Sequence, residues 1–128
     1  MRPETKGWWE QAGEDLLSAS VTLAAGRYYV CAFLCQQALE KAFKALLIER
    51  LREMPPKTHD LVQLAEKLSV PPQFSTAVRD INPAYATARY PDAANGLPAR
   101  AFDEEFARRN LDGAERVMKW CQRELGLS

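Results

Sequence analysis

The run Cys35-Gln36-Gln37-Ala38-Leu39-Glu40-Lys41-Ala42-Phe43-Lys44-Ala45-Leu46-Leu47 constrains this chain more than any other, because it reads as a strong helix that is apolar on two sides. Tyr29, Ala32, Gln36, Leu39, Phe43 and Leu47 share one face of the helical wheel, and Val30, Leu34, Ala38, Ala45 and Ile48 fall roughly opposite. Such a helix is buried on both sides, either in the middle of a bundle or between subunits. Gln36, Glu40 and Lys44 form an i, i+4 ladder through it, as do Gln37 and Lys41, so each polar group has a local partner. These residues either satisfy one another inside a central helix or line a polar seam facing a cleft.

The flanking segments read as helices too. A first helix runs from about Pro3 to Ala25, with Trp8, Trp9, Ala12, Leu16, Ala19 and Leu23 on its apolar face, and Gly26 ends it. Asp15 borders that stripe and is expected as a solvated carboxylate, a bond to a neighbouring helix being the alternative. The second helix extends from near Arg27 to about Arg52, where Met54-Pro55-Pro56-Lys57 breaks it. Thr58 serves as the N-cap of a short third helix, His59 to Leu68, and a fourth covers about Gln73 to Ile81. From Pro83 to Ala101 periodicity is lost, and so long an irregular connection is either functional or a crossover packed down by Tyr85 and Tyr90. The last helix starts at Asp103, with acids in its first turn and Arg116, Lys119 and Arg123 toward its end, as the helix dipole favours. Its buried stripe is Phe106, Asn110, Ala114, Val117, Met118, Cys121 and Leu125.

No period-2 pattern marks a strand, so the fold class is all-α. Residues 1–128 form a single domain, an up-and-down antiparallel bundle of three long and two short helices. The expected core joins Trp8, Leu16, Leu23, Phe43, Leu47, Leu64, Val117 and Cys121. One bundle of this length does not easily cover both apolar sides of the second helix. A homodimer burying some of Val30, Leu34, Ala38, Ala45 and Ile48 is therefore expected, with the short helices as the alternative cover.

Charge and cysteine content narrow the function. The 17 basic and 17 acidic residues cancel and are interleaved, which argues against a generic polyanion binder, and no DNA partner is expected. Three cysteines, Cys31, Cys35 and Cys121, make an odd number suited to a reducing compartment. With one histidine and no further cysteine cluster there is no metal site, and no cofactor is implied. The amino terminus lacks an apolar signal core and no 18-residue apolar run exists, so the expected location is cytoplasmic, without a membrane partner.

The string Gln36 to Leu47 resembles the second-helix signature of HEPN domains. Thr58-His59-Asp60-Leu61 and Arg89-Tyr90-Pro91-Asp92 resemble that family as well, as do Ala12, Asp15-Leu16 and Gly26-Arg27-Tyr28-Tyr29 near the start. The resemblance spans nearly the whole chain. It implies a bundle of four or five helices, commonly dimeric. Small stand-alone members are often encoded beside a minimal nucleotidyltransferase, as a toxin–antitoxin or defence-type pair. Many members are metal-independent RNases that use an Arg followed, four to six residues on, by a His; others lack this motif and act as binding modules.

His59 alone can supply that imidazole, and Arg52 precedes it at a formally suitable spacing, but Pro55 and Pro56 interrupt the helix the motif needs. Arg79 and Arg109-Asn110 have no histidine at the required positions. His59 is therefore expected to bond locally at the start of its helix. Acid–base cleavage of RNA wants a group titrating near neutrality, and none is otherwise present. The reading is a non-catalytic or weakly catalytic HEPN binding module, with an RNase using His59 and Arg52, or a nucleotide-binding domain, as alternatives. The binding candidates are Arg89, Tyr90 and Asp92, with Lys41, Lys44 and Glu40: arginine suits phosphate and tyrosine can stack on a base. The competing account pins Arg89 to Glu40 or Asp15 and uses Tyr90 as an apolar anchor.

Overall fold

The computed structural model describes residues 1–128 and contains helices and turns but no strand. Three long helices, α1 (Pro3–Ala24), α2 (Tyr28–Leu51) and α7 (Glu104–Glu124), carry most of the core. Between α2 and α7 lie α3 (Leu61–Leu68), α4 (Ser75–Ile81), α5 (Ala84–Thr87) and α6 (Pro91–Ala94), with 3-10 turns at Pro72–Phe74 and Pro98–Arg100. No helix is long and apolar enough to cross a membrane.

Gly26, at φ +76°, closes α1 with its amide on Leu23, and the Arg27 amide reaches Thr22. The turn sends α2 back antiparallel to α1, so Thr5 meets Glu49 and Asp15 meets Lys41 across the pair. α7 runs parallel to α2. Near its start the Cys31 thiol donates to the Ala107 carbonyl at 3.8 Å; near its end Arg50 pairs with Glu124 and covers the ring of Trp120. Everything between Arg52 and Asp103 is the return path that makes this direction possible.

The face of α2 expected to meet a second subunit lies in line with Lys41, which reaches Asp15 of α1, so α1 covers much of it. Ala38 and Ala45 are fully buried and Ile48 nearly so within one chain, leaving only Val30 and Leu34 half-buried on the expected dimer face. The segment expected to be irregular, Pro83 to Ala101, instead forms α5, α6 and a 3-10 turn. There Ala84 and Ala88 pack on Ala32, with Phe33 and Phe102 against them. Three alanines in contact let this thin layer lie close on the helix.

Of the expected core, Leu23, Phe43, Leu47, Leu64, Val117 and Cys121 are buried, whereas Trp8 and Leu16 are half-buried at its edge. The thiol of Cys121 is pushed up to about 12 by burial, and that of Cys35 is raised by its hydrogen bond to Cys31 and by burial. Both are inert apolar filling at neutral pH.

Candidate functional site

The polar ladder of α2 is the floor of the site. Glu40 and Lys44, each 5% exposed, form an ion pair at 3.0 Å one turn apart. Lys44 Nζ lies 5.6 Å from the ring centre of Trp8, which roofs it from α1. The Gln36 amide nitrogen donates to Glu40 Oε1 at 3.3 Å and to the His59 carbonyl at 2.9 Å, and Gln37 donates to Gln36 at 2.8 Å. Lys41 keeps its i, i+4 bond to Gln37 at 3.4 Å and also pairs with Asp15 at 2.5 Å, and Gln11 donates to the same carboxylate. Asp15 is thus a buried bridge between α1 and α2, not a solvated carboxylate, because Lys41 reaches it from directly across the pair. Lys41 also lines a hollow of about 390 Å³ beside Trp8, Gln11 and Met54.

The start of α3 sets His59 on this floor. Asp60, rather than Thr58, is the cap: its carboxylate accepts from the Val62 and Gln63 amides, while the Thr58 hydroxyl accepts from the Asp60 amide just before it. Asn82, at the end of α4, locks the cap by accepting from the Leu61 amide and donating to Asp60. The imidazole so placed does not bond locally. Its Nδ1 meets both oxygens of Glu40, at 3.0 and 3.1 Å, because the chain folds back after Arg52 and brings His59 beside the middle of α2. The side chain remains about half exposed (49%), and Nε2 makes no hydrogen bond within the chain.

Above His59 lies a layered stack. The ring of Tyr85 is parallel to the imidazole at 4.0 Å, and the Arg89 guanidinium carbon sits 4.7 Å from the Tyr85 centre. Tyr90 and Phe33 also face that guanidinium, at 4.8 and 5.6 Å. Neither Glu40 nor Asp15 pairs with Arg89: Glu40 is taken by Lys44 and His59, and Asp15 by Lys41. Tyr90 is 46% exposed and is no anchor; the inner ring is Tyr85. Asp92, in the first turn of α6, is exposed and forms no ion pair. Arg52 caps α2 in the left-handed conformation, at φ 58°, exposed and without contact to His59.

The structure therefore brings together Glu40, Lys44, His59, Arg89 and Tyr90, holds Lys41 on the adjoining ridge, and leaves Arg52 and Asp92 apart. Tyr85 and Phe33, which hold the guanidinium from the inside, carry no motif that marks them in the sequence. Chemically the stack offers a fixed cation, an exposed ring and an oriented imidazole, all at the surface. Three converging metal-ligating side chains are found nowhere in the chain.

The same arrangement of helices recurs in solved structures. The crystal structure of TT1696 from Thermus thermophilus aligns with a TM-score of 0.86, at 29% identity over 96% of this chain and 99% of that one. ST0689, described as an archaeal HEPN homologue, aligns with a TM-score of 0.79, at 30% identity over 96% and 98% of the two chains. No curated protein matches the sequence. The profile of the HEPN domain matches residues 5–125, a span that takes in the ladder of α2, His59, the Arg89 stack and all of α7, and the chain belongs to the HEPN domain family.

Proposed function

We propose that this HEPN protein is a non-catalytic binding module that recognises a phosphate-bearing ligand, a nucleotide or an RNA strand, at the Arg89 stack. One observation carries the reading. The guanidinium is held against three aromatic faces and makes no hydrogen bond to any protein group, so its donors are fixed in place and open to an anion. Tyr90 beside it offers a face for a base, and such stacking contributes about 1–3 kcal/mol per base. Glu40 and Lys44, nearly enclosed, act as supports that hold His59 and α3 rather than as ligand contacts. Family membership and the resemblance described above support a homodimer, cytoplasmic location, and pairing with a minimal nucleotidyltransferase in a toxin–antitoxin or defence-type unit.

The test is titration of a fluorescein-labelled uridine decanucleotide into wild-type and Arg89→Ala protein. Binding that falls at least about tenfold in the variant, with the unfolding midpoint nearly unchanged, is the expected result. Equal binding by both proteins refutes it.

A second reading, metal-independent RNase activity, draws on the orientation of His59. A buried carboxylate on Nδ1 with Nε2 toward solvent is how an imidazole is set up as an acid–base group. No arginine meets it directly, since Tyr85 separates it from Arg89 and Arg52 lies apart. RNA incubated with the protein in EDTA should stay intact; cleavage abolished by His59→Ala would establish the enzyme.

A further inference from the structure

His59 is the only histidine of the chain, and its surroundings decide which ring nitrogen carries the hydrogen. Nδ1 faces both oxygens of Glu40. The same oxygens receive the Lys44 ammonium at 3.0 Å and the Gln36 amide at 3.3 Å, so Glu40 is a carboxylate and can only accept. In a neutral imidazole one nitrogen donates and the other accepts. Nδ1 is therefore the donor here, and Nε2 is left as the acceptor. Tyr85 stacked on the ring at 4.0 Å, and the Gln36 amide on the His59 carbonyl at 2.9 Å, hold that orientation. Nε2 has no partner in the chain and the side chain is half exposed, so an aimed acceptor reaches the surface.

Arg89 offers donors only, and it lies one ring away, its guanidinium carbon 4.7 Å from the centre of Tyr85. The two groups thus ask for different partners: an anion at Arg89 and a hydrogen-bond donor at His59. A phosphodiester has a sugar on each side. With the phosphate on Arg89, the base of one nucleotide takes the exposed ring of Tyr90, and the sugar on the other side passes the edge of Tyr85 toward His59. The donor a sugar presents there is the 2′-hydroxyl, which DNA lacks. We propose, granted the reading of Arg89 above, that His59 accepts a hydrogen bond from this hydroxyl through Nε2. The site then selects a ribonucleotide strand over its deoxyribonucleotide counterpart, and Glu40 is the positioning residue that fixes the tautomer. A mononucleotide fits worse, because its one sugar cannot lie on both sides of the phosphate. A second phosphate at His59 fits worse as well, since it would set oxygen lone pairs against the lone pair of Nε2.

The test titrates the full chain, in EDTA and at a pH of about 8, where an imidazole ordinarily holds a single hydrogen on its nitrogens. The probes are labelled uridine decanucleotides with 2′-hydroxyl, 2′-deoxy or 2′-fluoro sugars. The fluoro strand keeps the sugar pucker of RNA and lacks only the donor. Wild type should bind the hydroxyl strand about three- to tenfold more tightly than either of the others, the worth of one hydrogen bond between neutral groups. His59→Phe keeps a ring against Tyr85 and should bring the hydroxyl strand down to the level of the fluoro strand. Because there is one histidine, nitrogen NMR of the imidazole needs no assignment and decides the matter if that variant does not fold. The hydrogen should be on Nδ1 in the free protein, and the hydroxyl strand should move the Nε2 resonance further than the fluoro strand does. Equal binding of the hydroxyl and fluoro strands, a preference that survives in His59→Phe, or a hydrogen found on Nε2 overturns the proposal and leaves the reading of Arg89 standing. No saturable binding of any strand overturns both.

Discussion

The imidazole of His59 lies face to face with the phenol ring of Tyr85, their centres 4.0 Å apart and their planes 13° from parallel. The contact adds to the Asn82 bonds in joining the start of α3, fixed by the Asp60 cap, to the thin layer of α5 that closes over α2. Tyr85 passes the order of the buried ladder outward, from Glu40 through His59 to Arg89.

Replacing Tyr85 by Leu keeps an apolar side chain over α2 and removes the ring from between its two neighbours. Stability should fall by about 0.5–1.5 kcal/mol, the range for an aromatic pair. Binding of the uridine decanucleotide should fall as it does for Arg89→Ala, since the guanidinium is no longer held. Chemical denaturation and fluorescence titration on the same preparation check both, and unchanged RNA binding would show that Tyr90 and Phe33 suffice to position Arg89.

Phe43 is fully enclosed at the centre of the largest apolar cluster. Truncation to Ala should destabilise the protein by about 3–5 kcal/mol. Urea unfolding measures it, and a near-neutral result would mean that α2 does not present this face to the core.

The fold was legible because its signals are local. The apolar repeat of α2, Gly26 after α1 and Asp103 before α7 each state a helix or its end within a few residues. The direction of α7 and the cover over α2 depend on how residues 52–103 travel back, and their α5 and α6 turns are too short to show a helical period. The site was legible by residue type only. Glu40, Lys44, His59, Arg89 and Tyr90 stand out as chemistry, and the Glu40–Lys44 pair is readable as an i, i+4 contact, but the partners of His59 are non-local. Nothing near His59 in sequence indicates Glu40, and Tyr85, four residues before Arg89, reads in the sequence only as packing for the connection. Asn110 fell on an apolar stripe by wheel angle, and only the packing of α4 shows that no partner reaches it.

Glu49 links the amino terminus to α2. The Arg2 amide donates to its carboxylate at 3.2 Å and the Thr5 hydroxyl at 2.9 Å, and these bonds hold its carboxyl below the ordinary glutamate value of 4.5. A carboxylate with a depressed folded-state pKa adds stability above its unfolded value, and that stability is lost as pH falls through the folded value. The tether should therefore hold at neutral pH and loosen only in acid, below about 4.5. Carbon-detected NMR titration of the Glu49 carboxyl should give a midpoint under that of an exposed glutamate. In Thr5→Val the midpoint should move back up; no difference between the two proteins would remove Thr5 as a cause.

At the Gly113–Ala77 crossing a side chain on α7 has no room. Gly113→Val would drive α4 off α7 and should destabilise by about 1–3 kcal/mol, as overpacking does, despite removing a glycine from a helix interior. Thermal unfolding of Gly113→Val alone and with Ala77→Gly checks the cause. If the second substitution recovers none of the loss, the strain lies elsewhere.

The pair Glu40–Lys44 offers the sharpest separation between support and ligand contact. Both side chains are nearly enclosed, at 6% and 7% exposure, and Lys44 has no counter-charge other than Glu40. Glu40→Ala leaves an ammonium against Trp8 with no counter-charge and takes away the oxygens that hold His59 Nδ1. The expected loss is about 3–5 kcal/mol, and Lys44→Ala should cost less, because Gln36 and His59 still meet the carboxylate. Glu40→Leu combined with Lys44→Met removes both charges, keeps most of the volume, and should lie far nearer to wild type than the sum of the single losses. That double variant still lacks the partner of His59 Nδ1, so the imidazole should lose its fixed orientation while the fold stays intact. If instead the double variant is as unstable as either single one, the pair is not the reason these groups are buried together. If it is stable and binds the RNA probe as wild type does, the ladder supports the fold without positioning the Arg89 stack.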